Sequence, residues 1–198
     1  MEIFKRNYIF EIRANEDKEN KNYTLTGRPI VYNSKTDLGY FDEVIESGAL
    51  DKADLKDVRF LVNHDTSKIP LARATEKNKN STMRFSVDKN GMEISVELDV
   101  ENNSEARALY SAVQRGDITG MSFMFTIDGE EWENLESEHP TRHIKSIGQV
   151  FEVSAVTFPA YEASEISARD KKSLDDAVNK ARTNDLDLLK LKAKYIYK

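Results

Sequence analysis

Three side chains in this sequence are of the types that together perform hydrolysis by a hydroxyl nucleophile, and each stands where its polarity is costly. Ser122 lies between large apolar neighbours in GMSFMF, a setting in which a hydroxyl needs a partner. His64, one of three histidines, ends the apolar run of RFLVNHD. Glu152 interrupts the apolar stretch VFEVSAV, and an ionised carboxylate there needs a counter-charge or donors. A rigid serine, a histidine that takes its proton and a third group that fixes the histidine's tautomer would make an acyl-transfer site. Each also has an ordinary reading: a satisfied core histidine, an outward-facing serine, a solvent-facing glutamate. Periodicity alone does not bring the three together.

Other chemistries find less support. The chain has no cysteine, which excludes a thiol nucleophile, a disulfide framework and thiolate metal sites. His139 and His143 stand four apart, the spacing that puts two ligands on one helix face, but Pro140 between them argues against a helix and there is no HExxH. No metal or cofactor is therefore expected. There is no GxxxxGK[ST] or GxGxxG loop for phosphates, and nothing among the 35 acidic residues picks out a glycosidase pair.

The elements that must position these residues read mainly as strands. IFKRNYIFEIRA and YTLTGRPIVYN have the mixed apolar-polar pattern of half-buried strands. LGYFDEVIESGALDKADL reads as a loop feeding a short helix, entered at Ser47 and Gly48. VRFLVNHD is a strand that would place Val58, Phe60, Val62 and His64 on one face. Asn90-Gly91 between alternating segments marks a hairpin. In NNSEARALYSAVQRGDITG, Asn103 or Ser104 can cap a helix striped by Ala106, Leu109, Ala112 and Val113 and ended by Gly116. TGMSFMFTI is a strand with Met121, Phe123, Phe125 and Ile127 on one face and Ser122 and Thr126 on the other. The acidic DGEEWENLESEHPTRH is expected to loop out, and IKSIGQVFEVSAVTFPA to return as a strand that Pro159 ends. Beyond Ser167 the composition turns to a charged, helix-prone tail carrying Leu174, Val178, Ala181, Leu186, Leu189 and Ile196.

Many strands with turn signals and one or two helices predict an α+β chain, mainly β, in the form of an antiparallel β-barrel with a few helices around it. With 198 residues, the expected division is a domain over 1–167 and a tail over 168–198. The net charge of −6 comes with no basic strip interleaved with aromatics, so nucleic acid is not expected as a partner. No apolar run approaches the roughly 20 residues of a membrane span, and the N-terminus lacks the apolar core of a signal peptide. A soluble protein without a membrane partner is expected, and the absence of cysteine is compatible with a reducing cytoplasm.

Read in order, four segments resemble the prohead (capsid maturation) serine proteases of tailed bacteriophages, a family similar in fold to the herpesvirus assemblin proteases. They are GRPIVYN followed by LGYFDEVIESGAL, then VRFLVNHD, then AVQRGDITGMSFMF, then FEVSAVTFPAY; the resemblance spans about Tyr23 to Ser164. One departure is IPLARA after the histidine, where Ala72 stands at a glycine of the family's Leu-Gly-Arg sequence. The resemblance implies a serine endopeptidase in which Ser122 is the nucleophile, His64 the general base and Glu152 the third member. The assemblin Ser-His-His set leaves His143 as an alternative third member, and the turn Thr157 to Ala160 is the expected source of oxyanion donors. It further implies action inside a viral procapsid in the host cytoplasm, with scaffold segments, the major capsid protein and the protease itself as substrates. A homodimer paired through the helix near Leu109 or through the tail belongs to the same set of expectations, as does removal of the tail by self-cleavage. The alternative is a non-catalytic capsid- or scaffold-associated β-barrel module.

Overall fold

The Asn90-Gly91 pair closes a hairpin, but its left-handed geometry falls one position later than a two-residue type I′ turn requires. In a computed structural model of the chain, which describes residues 2–8, 12–17, 19, 21–76, 80–157 and 163–196, Gly91 has φ +129 while neither Lys89 nor Asn90 has a positive φ. A Cβ at Gly91 would lie 2.0 Å from the carbonyl oxygen of Ile30, so only glycine lets these backbones approach. Around this hairpin run β1 (Ile3–Tyr8), β2 (Ile12–Asp17), β3 (Asn22–Val31), β4 (Lys35–Asp37), β5 (Asp42–Ile45), β6 (Asp57–Val62), β7 (Ala72–Thr75), β8 (Met83–Asp88), β9 (Gly91–Leu98), α1 (Ser104–Arg115), β10 (Gly120–Glu133), β11 (Thr141–Val156) and α2 (Ala163–Ile196).

The chain is mainly β with two helices, as expected, and the strands form two sheets. One has the order β1-β10-β11-β5-β4, with β6 paired further along β11 and β7 on β6; the other runs β2-β3-β9-β8. The larger sheet is mixed rather than purely antiparallel, because β5 and β6 both run parallel to β11. Among the described residues the ladders do not close into a ring. The sheets do meet at one edge, where Thr82 N donates to Arg73 O at 3.1 Å and Arg73 N donates to Thr82 Oγ1 at 3.0 Å. Between them lies the core, with Phe60, Phe123, Phe125, Ile30 and Met92 all fully buried.

Several local expectations need correction. IFKRNYIFEIRA is not one strand: β1 and β2 belong to different sheets, and residues 9–11 lie outside the described residues. The segment entered at Ser47 and Gly48 is not a helix. Gly48 has φ +84, and the bonds Ala49 N to Glu46 O, Asp51 N to Gly48 O and Ala53 N to Leu50 O build successive tight turns. These seat Ala49 and Leu50 in the core. The acidic excursion is also shorter than expected. Strand β10 runs on to Glu133, and β11 is already paired at Thr141, because Trp132 packs edge-on against Phe41 with ring centroids 4.8 Å apart.

Helix α1 follows the sequence closely. Asn103 Oδ1 accepts from Glu105 N and Ala106 N, and Gly116 ends the helix at φ +79. Its inner face carries Ala106, Leu109, Tyr110 and Val113. Leu109 is 4% exposed, turned into the chain's own core.

Helix α2 is anchored by a buried ionic cluster. Arg6 grips Glu43 with two bonds, Nε to Oε1 at 2.5 Å and Nη2 to Oε2 at 2.8 Å, and reaches Asp170 on α2 at 2.9 Å. Arg142 lies over the Phe4 ring at 4.7 Å and pairs with Glu130 and Glu43. Burial pushes the Asp170 carboxyl above its usual range, against the pull of Arg6. Further along, Ser173, Leu174, Ala177, Val178 and Ala181 are half-buried, and from Arg182 to Lys192 the helix is exposed. No helix of the described residues is long and apolar enough to cross a membrane.

Removing one partner of a buried ion pair leaves an uncompensated charge, which typically costs about 3–5 kcal/mol. Arg6→Ala takes the bonded guanidinium from Asp170 and leaves Glu43 only its 3.5 Å contact with Arg142. It should lower the unfolding free energy by about that amount, measured by urea denaturation followed by circular dichroism.

Candidate active site

Strand β6 ends at Val62, before the histidine. Asn63 and His64 both take left-handed backbone, with φ +51 and +59, conformations that cost a non-glycine residue of order 1–3 kcal/mol and persist only when the surroundings over-determine them. Here they do. Asn63 Oδ1 accepts Thr157 N–H at 2.9 Å and its Nδ2 donates to Thr157 Oγ1 at 3.1 Å, while Asn63 N donates to Ala155 O. His64 N–H donates to Ser154 Oγ at 3.1 Å. His64 therefore does not continue the face of Val58, Phe60 and Val62, as the strand pattern predicted. The turn swings its ring across to β11.

There the imidazole meets a carboxylate. His64 Nδ1 is 2.5 Å from Glu152 Oε1, with Glu152 2% exposed. The second oxygen of Glu152 accepts the Ser154 hydroxyl at 2.5 Å. A carboxylate accepts from Nδ1–H, which leaves Nε2 as the basic nitrogen of the ring.

Ser122 sits one strand over. On the ladder its Cα stands opposite Ser154 of β11 and opposite Asn7 of β1; directly opposed residues of an antiparallel pair share a face, so Ser122 projects on the side that carries Ser154 and Glu152. Ser122 is fully buried, and its hydroxyl donates to the Arg6 carbonyl at 2.9 Å. A hydroxyl has one proton, so in this conformation that proton is directed to β1 and not to His64. The structure thus brings His64 and Glu152 into contact and holds Ser122 on the adjoining strand.

The remaining histidines lie elsewhere. His143 stands opposite Glu131 toward the far end of the β10–β11 hairpin, nine residues back along β11 from Glu152. Its Nδ1 is 2.7 Å from Glu46 Oε1 and its Nε2 3.2 Å from Glu133 Oε2. His139 is 3.2 Å from Asp42 and 3.6 Å from Asp37. These three could converge on a cation, but the cluster is open to solvent and Lys35 already supplies Asp42 with a positive charge at 3.0 Å. The carboxyl of Asp42 lies below its usual range, since bonds from Lys35 and His139 outweigh its partial burial.

Two further residues are prominent here. Strand alternation puts Ser154 on the same face as Glu152, and Asn63 directly precedes the histidine, yet neither spacing announces a role. Of the turn expected to supply oxyanion donors, Thr157 N–H is committed to Asn63, and residues 158–160 lie outside the described residues.

No curated protein sequence matches the chain. Among solved structures it is similar to the bacteriophage T4 capsid assembly protease, at 8% identity and a TM-score of 0.43, over 78% of this chain and 97% of that one. The family model of the caudovirus prohead serine proteases matches residues 9–178, which takes in β6, β10, β11 and the first turns of α2. By that match over most of its length, the chain belongs to the caudovirus prohead serine protease family.

Proposed function

We propose that the chain is a serine endopeptidase of capsid maturation, with Ser122 as nucleophile, His64 as general base and Glu152 as the third member. The observation that carries the assignment is the buried 2.5 Å contact between His64 Nδ1 and Glu152 Oε1, which fixes the tautomer such a base requires. In the proposed reaction Ser122 turns about its Cα–Cβ bond, leaving the Arg6 carbonyl for His64 Nε2. Its proton passes to Nε2 as Oγ bonds the peptide carbonyl carbon and the carbonyl electron pair moves onto oxygen. Glu152 stabilises the imidazolium. The tetrahedral intermediate collapses by breaking the C–N bond while Nε2–H protonates the leaving amine. Water, deprotonated by the same nitrogen, then releases the acyl group from Ser122. Backbone donors to the oxyanion are worth about 3 kcal/mol each.

The substrates on this reading are the major capsid protein, scaffold segments and the protease itself, cleaved inside the procapsid in the host cell. The two sheets are read as parts of one strongly curved, assemblin-like barrel, a reading supported by the Arg73–Thr82 bonds that join their edges. The tail over 168–198 is read as a removable segment. Its Leu186, Leu188, Leu189 and Leu191 are each half or more exposed, which supports reading it as a surface for pairing with a second copy before its removal. The rival reading, a non-catalytic module, draws on the burial of Ser122 and the engagement of its hydroxyl by Arg6. Labelling of Ser122 by a phosphonate serine probe separates the two.

Ser122→Ala should abolish cleavage of a co-expressed capsid protein on a gel. The fold should survive, since the change removes one buried hydrogen bond, of order 1–2 kcal/mol; cleavage by the purified variant would reject the nucleophile. Glu152→Gln should lower turnover about a thousandfold or more, whereas His143→Ala should leave turnover within a few-fold, and the reverse ranking would move the third member to His143. For the tail, intact mass measured after prolonged incubation should show loss of C-terminal residues in the native protein and none in Ser122→Ala. An unchanged native mass counts against processing there.

A further inference from the structure

We infer that Ser154 is a positioning residue of the proteolytic site, holding both His64 and Glu152 in register; the inference rests on the reading of Ser122, His64 and Glu152 given above. Ser154 is fully buried and its hydroxyl is used twice. Its proton goes to Glu152 Oε2 at 2.5 Å, and its oxygen accepts the backbone N–H of His64 at 3.1 Å. With the His64 Nδ1 contact to Oε1 at 2.5 Å, these bonds close a ring running from the histidine backbone through Ser154 and Glu152 back to the same histidine's imidazole.

Each bond answers a specific need. The carboxylate has two oxygens, and one given to His64 leaves the other buried; an unsatisfied buried acceptor costs of order 1–3 kcal/mol, more when charged. The donation from Ser154 fills it, and it pins the plane of the carboxylate so that Oε1 stays aimed at Nδ1. The backbone of His64, at φ +59, presents an N–H that the ladder of β6 no longer pairs, and Ser154 Oγ takes it. Because the ladder sets Ser154 opposite Ser122, the same side chain fixes the height of the imidazole relative to the strand that carries the nucleophile. Ser154 is held on both sides, its proton on Glu152 and its oxygen on the His64 N–H, and so serves as a fixed support.

The test uses the full chain. Alkyl fluorophosphonate labelling is followed to saturation, so that the maximal rate separates from the half-saturating concentration, and the His64 imidazole protons are observed by NMR. Ser154→Ala should lower the maximal labelling rate of Ser122 by about 10- to 100-fold, the loss typical of groups that orient a site residue from behind, with the half-saturating concentration unchanged. The His64 Nδ1–H resonance should move upfield as its acceptor loses its fixed plane. Ser154→Thr keeps the hydroxyl and should restore both rate and resonance. A Ser154→Ala protein with native rate and resonance overturns the inference. If Ser154→Ala does not fold, Ser154→Thr decides: a folded threonine variant that keeps the native rate and resonance supports the role, and one that has lost them overturns it. Should Ser122→Ala still label, at Ser154, the reading of the site falls and this inference with it. An inert Ser122→Ala beside a native Ser154→Ala removes this inference alone.

Discussion

A carboxylate buried in a β-sheet dictates most of what surrounds it. Glu152 is 2% exposed toward the C-terminal end of β11, the longest strand among the described residues, with Val153, Ala155 and Val150 fully buried beside it. Stripped of water, the charge is tolerable only with donors on both oxygens. One donor is Ser154, two residues further along the same face. The other must come from outside β11, and the parallel pairing of β6 delivers it: Arg59 stands opposite Glu152 and Val62 opposite Ala155, so the chain leaves β6 three residues beyond the carboxylate. A straight continuation would carry the histidine past it. The left-handed pair Asn63–His64 turns the ring back, and the strain of that turn is offset by the bonds from Thr157 and to Ser154.

Arg6 is the second fixed point, and it works through backbone and side chain at once. Its carbonyl holds the hydroxyl of Ser122 while its guanidinium, whose fork of donors suits paired carboxylates, joins Glu43 of β5 to Asp170 of α2. An N-terminal strand and a C-terminal helix are thereby tied together beside the strand that carries the serine. The consequence concerns the domain boundary expected at Ser167. Asp170 lies beyond it in sequence but is fully buried and bonded to Arg6 of β1, so a buried ion pair crosses that boundary. Unbroken exposure begins only past Ala181.

How much of this was legible depended on whether the cause was local. Helix α1 could be read because Asn103, the stripe from Ala106 to Val113 and Gly116 all act within a few residues of one another. The hairpin at Asn90-Gly91 was legible for the same reason, though a contact with Ile30 from a distant strand decided which residue is left-handed. The turn at Gly48 was misread as a helix entry because nothing local says that Ala49 and Leu50 are drawn into the core. Likewise the acidic run after Asp128 looked like loop until Phe41 came to cover Trp132. At the site, the polarity of Ser122, His64 and Glu152 against apolar surroundings marked them individually. Their juxtaposition depends on strand order and register, which no spacing along the chain encodes.

The two serines of the ladder show why residue type and burial alone do not assign chemistry. Ser122 and Ser154 face one another across β10 and β11, both fully buried and both on strands rich in apolar side chains. What separates them is the destination of a single proton. Ser154 gives its proton to a carboxylate, a charge-assisted bond about twice as strong as one between neutral groups, and its oxygen is occupied by a backbone N–H. Ser122 gives its proton to a neutral carbonyl, a bond whose net worth is only about 1 kcal/mol. Rotation about one side-chain bond can break the weaker contact at modest cost. Breaking the stronger one would leave Glu152 Oε2 buried without a donor. On the proposed mechanism the nucleophile has to be the serine whose hydroxyl is cheaper to release, and the stronger bond belongs to the serine that must not move.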